Sequence, residues 1–145
     1  MSRVVLVLLM TCMAALGCGR KQTTLYPLHI ETPEYDRKAH IGHIMGHVTV
    51  NATIDASGVV VDTTASGQPM LASFAMKNIR QWTFERPKHA PIQQTIIYDY
   101  ELEDSQECDI SPTRVSFDLP GRVVIAARTV TICEPPGVLV QKSKK

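Results

Sequence analysis

Val48, Val50, Ala52 and Ile54 occupy every second position, alternating with Thr49, Asn51, Thr53 and Asp55. A period of two places the four apolar side chains on one face of a half-buried strand, so some other element must cover that face. Asp55-Ala56-Ser57-Gly58 has turn composition, and Gly58 can take the positive φ that a tight turn demands. Val59, Val60 and Val61 then open a second strand, which predicts a β-hairpin. Ser66-Gly67-Gln68-Pro69 interrupts it, and Pro69 suits the first turn of a helix. From Met70 the period becomes helical: Leu71, Ala75, Ile79 and Trp82 form one stripe with Phe74 beside it, while Lys77, Asn78, Arg80 and Gln81 lie mostly elsewhere. A helix of about three turns would cover one face of the hairpin.

Glu85-Arg86-Pro87 and Pro91 mark a loop. Ile96, Tyr98, Tyr100 and Leu102 then share one face of a strand; Thr95, Ile97, Asp99 and Glu101 share the other, which reads as solvated apart from Ile97. Farther on, Val115 and Phe117 alternate within Arg114–Asp118, Leu119-Pro120-Gly121 turns the chain, and residues 122–132 are rich in Val, Ile and Thr. These segments predict a second hairpin. The resulting expectation is one α+β domain, an antiparallel β-sheet with one main helix packed on it in the order β-β-α-β, plus a C-terminal β-hairpin.

With 145 residues, 44% hydrophobic and 20% charged, the chain has material for one core and not two. A formal net charge of +1 provides no field for binding nucleic acid. The N-terminus has a different character. Arg3 precedes an apolar run from Val4 to Leu16 that is shorter than the roughly 20 residues of a comfortable membrane span. A basic start, an apolar middle and small residues at Ala14, Ala15 and Gly17 mark residues 1–17 as a secretory signal. Ala15-Leu16-Gly17-Cys18 resembles a bacterial lipobox, which implies lipid attachment at Cys18. Removal of the signal takes away Cys12 and Arg3, leaving 14 basic and 14 acidic side chains. Attachment to a bilayer would then depend on lipid rather than on basic attraction. If Cys18 carries lipid, Cys108 and Cys133 remain as a pair that an oxidising compartment would permit to bridge, stapling the second hairpin at its base.

Several marks, taken in order, give the chain a family resemblance. Tyr35 with Ala39, the run Ile44, Gly46, Val48 and Val50, the turn Ile54-Asp55 with Gly58 and Val60, and the helix end Ala75, Ile79, Trp82, Phe84 and Pro87 resemble the C-terminal domain of TonB, the periplasmic energy transducer. The resemblance spans residues 33–104. It implies recognition of an extended peptide from an outer-membrane receptor by strand addition, with main-chain hydrogen bonds giving affinity and alternate side chains giving specificity. By the same resemblance the binding edge is the strand carrying Ile96, Tyr98, Tyr100 and Leu102, with Tyr35 nearby. There are departures from the family. Asp36 stands where it has proline, and no lasting membrane helix or long proline-rich spacer is present in this sequence. A tether over residues 18–32 reaches some 50 Å at about 3.5 Å per extended residue, so the match favours the fold over a force-transmitting role. The C-terminal hairpin could also pair with the same edge and close it to a peptide.

Side chains with catalytic potential do not converge. Ser57 and Ser66 adjoin glycine outside any G-x-S-x-G pattern, and Asp55 and Asp62 flank a turn. On a strand, His43 and His47 would stand roughly 13 Å apart, too far for one zinc, so these and His40 read as exposed polar residues. The acidic cluster Glu101, Glu103, Asp104 and Glu107 lacks a calcium-loop spacing. No phosphate-cradling glycine loop is present, and neither cofactor nor metal is expected. The expected organisation is a signal at 1–17, a polar tether at 18–32, a TonB-like domain at 33–104, a disulfide-stapled hairpin at 105–135 and a basic tail at 136–145. The expected function is non-enzymatic: a periplasm-facing, lipid-anchored envelope protein that binds a protein or peptide by strand addition, in energy-coupled outer-membrane transport. The alternative is a structural or assembly lipoprotein whose sheet edge is capped by its own hairpin.

Overall fold

The computed structural model describes residues 23–104 and 112–129. Its first commitment is the expected hairpin. Strand β2 (Gly46–Ile54) pairs antiparallel with β3 (Val60–Gly67), from Val48 opposite Gly67 to Thr53 opposite Asp62, with a bulge before Ile54. The connecting turn is built by one carboxylate. Asp55 Oδ1 accepts from the Ser57 amide and hydroxyl at 2.8 and 2.6 Å and from the Val59 amide at 3.0 Å. These bonds, with the Ser57 hydroxyl foremost, hold the Asp55 carboxyl below its ordinary pKa. Gly58 has φ +88°, and a Cβ there would lie 2.2 Å from the Phe84 carbonyl oxygen. Both the conformation and the close approach therefore require glycine.

Gln68 caps helix α2 (Pro69–Ile79) by accepting from the Leu71 amide at 3.0 Å, and Pro69 fills the first helical position, where no amide hydrogen is needed. The helix lies against β2 and β3 and buries Leu71, Ala72, Ala75 and Ile79. Val48, Val50, Ala52 and Ile54 are all at 0% exposure beneath it. The four positions that first suggested a strand thus form the floor of the core. Strand β5 (Ile92–Glu103) lies antiparallel on the other side of β2, from Ile92 opposite Ile54 to Tyr100 opposite Gly46. Two further strands, β6 (Arg114–Asp118) and β7 (Arg122–Arg128), make the second hairpin. The five strands run in the order β3-β2-β5-β7-β6. The α+β class holds, but the sheet is mixed rather than antiparallel, because β7 pairs parallel with β5.

Three small elements lie outside the expected pattern. Strand β1 (Pro27–His29) pairs with the two-residue β4 (Thr83–Phe84) as a separate ribbon. The short helix α1 (Arg37–Ile41) starts at Asp36, whose carboxylate accepts from the Lys38 and Ala39 amides. Leu25 is buried, its amide and carbonyl both bonded by the Gln94 side-chain amide at 2.8 and 2.9 Å. The segment from Leu25 onward therefore belongs to the fold and not to a tether running to Thr32. A three-residue strand has no readable period, and its anchor is a buried glutamine far away in sequence. The signal segment, Cys18, Cys108, Cys133 and the basic tail lie outside the described residues.

The core has a polar centre. Asn78 is buried, although the helical wheel set it largely off the apolar stripe. Its Nδ2 donates to the Glu31 carbonyl at 2.9 Å, and its Oδ1 accepts from Trp82 Nε1 at 3.1 Å and from the Tyr98 hydroxyl at 3.0 Å. One side chain thus ties the N-terminal segment, the helix end and β5 together. Tyr100 provides the contrast: it is buried like Tyr98, yet its hydroxyl has no hydrogen-bond partner among the described residues. A buried hydroxyl that bonds nothing costs stability, and one that is bonded contributes to it. Tyr98→Phe is expected to lose about 1 kcal/mol in urea unfolding, whereas Tyr100→Phe should be neutral or gain about 1 kcal/mol.

Candidate functional site

The edge assigned to a peptide by resemblance lies inside the sheet. From Ile97 opposite Arg122 to Glu103 opposite Arg128, β7 runs along β5 in parallel register. β5 is therefore paired with β2 over Ile92–Tyr100 on one edge and with β7 over Ile97–Glu103 on the other. Ile96 and Tyr98 have 0% exposure, Tyr100 has 2%, and Leu102 packs partly buried against the same cluster. Their alternation was read correctly as one face, but that face is the one covered by the helix layer. Tyr35 does stand beside them, its ring edge-on to Tyr100 at 5.5 Å, and it too is buried. Its hydroxyl donates to the Ile44 carbonyl at 2.7 Å, and burial raises its pKa. Burial likewise raises the hydroxyls of Tyr98 and Tyr100. Four of these side chains are buried in the core cluster, and Leu102 packs partly buried against it.

The hairpin that closes this edge is itself anchored. Phe117 of β6 reaches the ring of Trp82 at 6.1 Å, and Val123, Ile125 and Ala127 of β7 extend the buried floor. The His40 ring, held 5.7 Å from the Tyr35 ring, bonds the Arg128 carbonyl through Nε2. At the opposite end Gln94 donates to the Pro120 carbonyl at 3.3 Å.

On the uncovered face of the sheet, one carboxylate joins three strands. Asp99 of β5 sits directly opposite His47 of β2 and accepts from its Nδ1; its other oxygen accepts from Arg122 Nε of β7. The carboxylate is 1% exposed although it stands on the open side, because His47 and Arg122 close over it. Burial by itself would raise its pKa, but the hydrogen bonds from His47 and Arg122, with the arginine charge, outweigh it and bring the value below the ordinary one. The sequence placed Asp99 on a solvated face and His47 among exposed histidines; the face was right and the pairing was hidden. The one available signal was register, since His47 and Asp99 meet only if Val48 pairs with Tyr98.

The other expected polar residues do not converge on this group. His43 sits in a turn with φ 51°, and Asp62 lies on β3 across from Thr53. Among the described residues no group of three or more His, Cys, Asp or Glu side chains could hold a metal ion. Among them, too, no helix is long and apolar enough to cross a membrane. No protein-family model matches the chain, and no curated protein matches it in sequence. What the geometry offers is a five-stranded backbone scaffold whose outer strands are β3 and β6.

The Asp99 group has a pH consequence of defined sign. A carboxyl whose folded pKa lies below its unfolded value near 3.9 contributes stability in full above that value, and the contribution disappears as pH falls through the folded pKa. Asp99→Asn is therefore expected to lose about 2 kcal/mol at pH 7. Denaturant titrations should show the gap to the unsubstituted protein narrowing only below about pH 4.

Proposed function

We propose that this chain is a non-catalytic, TonB-like domain of the bacterial envelope, held to a membrane through lipid on Cys18 and serving as a structural or assembly module. The observation that carries the reading is the pairing of β7 along β5, which occupies the edge a receptor peptide would need. Strand addition at β5 would require seven paired positions of β7 to be given up, from Arg122 to Arg128, along with burial of Val123 and Ile125. A fold whose own hairpin occupies its docking edge is suited to permanent contacts rather than to capture and release of an extended segment. The spacing between Cys18 and Leu25 fits the same role. A link this short keeps the domain against the membrane that holds it and cannot deliver it across a wide periplasm.

Among the described strands, β3 and β6 are the outer ones to which a partner's strand could be added. On β3 the edge is guarded by a bulge, by Asp62 and by the positive-φ Gly67 at its end. β6 is only five residues long. Both are devices that discourage indiscriminate pairing while leaving room for one fitted partner.

Hydrogen exchange on the intact protein tests the reading. In the presence of an array of extended receptor-derived peptides, the amides of residues 122–128 are expected to keep their protection. A peptide that binds while deprotecting those amides, as if displacing β7, would return the domain to the transport role.

A further inference from the structure

We propose that the anchored domain does not dangle from its lipid but rests on the headgroup layer, through the outer face of the β1–β4 ribbon and the loop 85–91. The proposal rests on the lipid-anchor reading and adds to it the orientation of the domain.

The first argument is where the chain leaves the fold. Gln94 clamps Leu25 by both backbone groups, so the folded part begins there. Six residues separate that clamp from Cys18, and the seven steps between them reach about 25 Å at full extension. This end of the domain must stay close to the bilayer.

The second is what this end exposes. Pro27 pairs with the buried Phe84, so Tyr26 and Leu28 on either side of it face away from the core. They are 56% and 71% exposed. Val59 bridges Thr83 on the far side of β4 and is 42% exposed. An aromatic with a polar tip flanked by aliphatic side chains is the composition that settles at a membrane interface. Among the described residues nothing covers these three side chains, and Tyr26 follows Leu25 directly.

The third is charge. The loop that follows β4 curls round Thr23, Thr24 and Leu25, leaving a broad depression of about 1300 Å³. Arg86, Lys88 and His89 line it, with Glu85 as its one carboxylate. Arg86 and Lys88 against Glu85 give the depression a small positive bias of its own, with the Asp55 carboxylate outside it on the Val59 amide. Phosphate headgroups of an anionic bilayer complement it.

Bromolipid quenching tests the orientation, because Trp82 is the protein's single tryptophan and is 1% exposed. The full chain, extracted from its native membrane, is reconstituted in vesicles of dibrominated phosphatidylcholine and phosphatidylglycerol mixed about three to one. Emission of the Tyr26→Trp variant is expected to be quenched at least about twofold more than that of the unsubstituted protein, and adding Arg86→Glu with Lys88→Glu should reduce the excess. The Cys18→Ser chain should show the same excess at higher vesicle concentration. If intact mass shows the acyl group but the variant is quenched no more than the unsubstituted protein, the orientation is wrong and the anchor stands. If the excess persists in a chain whose mass shows no acyl group, the anchor is wrong and the face stands. Shielding of the new indole from aqueous iodide before vesicles are added would mean that a second copy covers the face, and would overturn the proposal.

Discussion

A twelve-residue strand, paired along one edge at Ile92–Tyr100 and along the other at Ile97–Glu103, governs this molecule. β5 carries Gln94, Ile96, Tyr98 and Tyr100 into the core and Asp99 onto the open face, and it bonds β2 on one side and β7 on the other. The pairing with β7 is parallel because the chain leaves β5, runs back as β6 at the outside of the sheet, and turns at Asp118–Arg122 to fill the gap between them. Main-chain groups at the centre of a sheet must find partners, and here the chain supplies its own. The same insertion extends the buried floor by Val123, Ile125 and Ala127. Edge closure and core completion are therefore one event, and a ligand could not undo the first without exposing the second.

Two polar groups fix this arrangement from its two faces. Beneath the helix layer, Asn78 gathers the Glu31 carbonyl, the Trp82 indole and the Tyr98 hydroxyl. On the uncovered face, Asp99 holds His47 and Arg122, joining β2, β5 and β7 at one point. Each specifies register as well as adding stability, since a slip by one residue would carry Asp99 into the apolar core and Tyr98 out of it.

Much of this was legible in the sequence, and what was hidden was hidden for physical reasons. The alternation at Val48–Ile54 and the helical stripe Leu71, Ala75 and Ile79 reported burial directly, because each belongs to an element long enough to show its period. Arg114–Asp118 showed an alternation too, whereas its partner was marked by the Val, Ile and Thr content of residues 122–132, within which β7 spans Arg122–Arg128. Periodicity carries no information about which strand lies beside which, so the parallel placement of β7, and with it the closure over Ile96, Tyr98, Tyr100 and Leu102, could be posed only as an alternative. β1, β4 and α1 are too short for any pattern. Asn78 and Asp99 are buried with partners distant in sequence, and Leu25 by Gln94, so the helical and strand periods set the first two on solvated faces and composition marked the last as tether.

The central claim is that β7 lies in parallel register against β5 in the intact protein. Nuclear Overhauser contacts between the backbones of these strands read it most directly. The account predicts that residue 98 meets residue 123 and residue 100 meets residue 125, both numbers rising together along the strands. Contacts whose numbers run in opposite directions, or an edge of β5 with no neighbour but solvent, would contradict it.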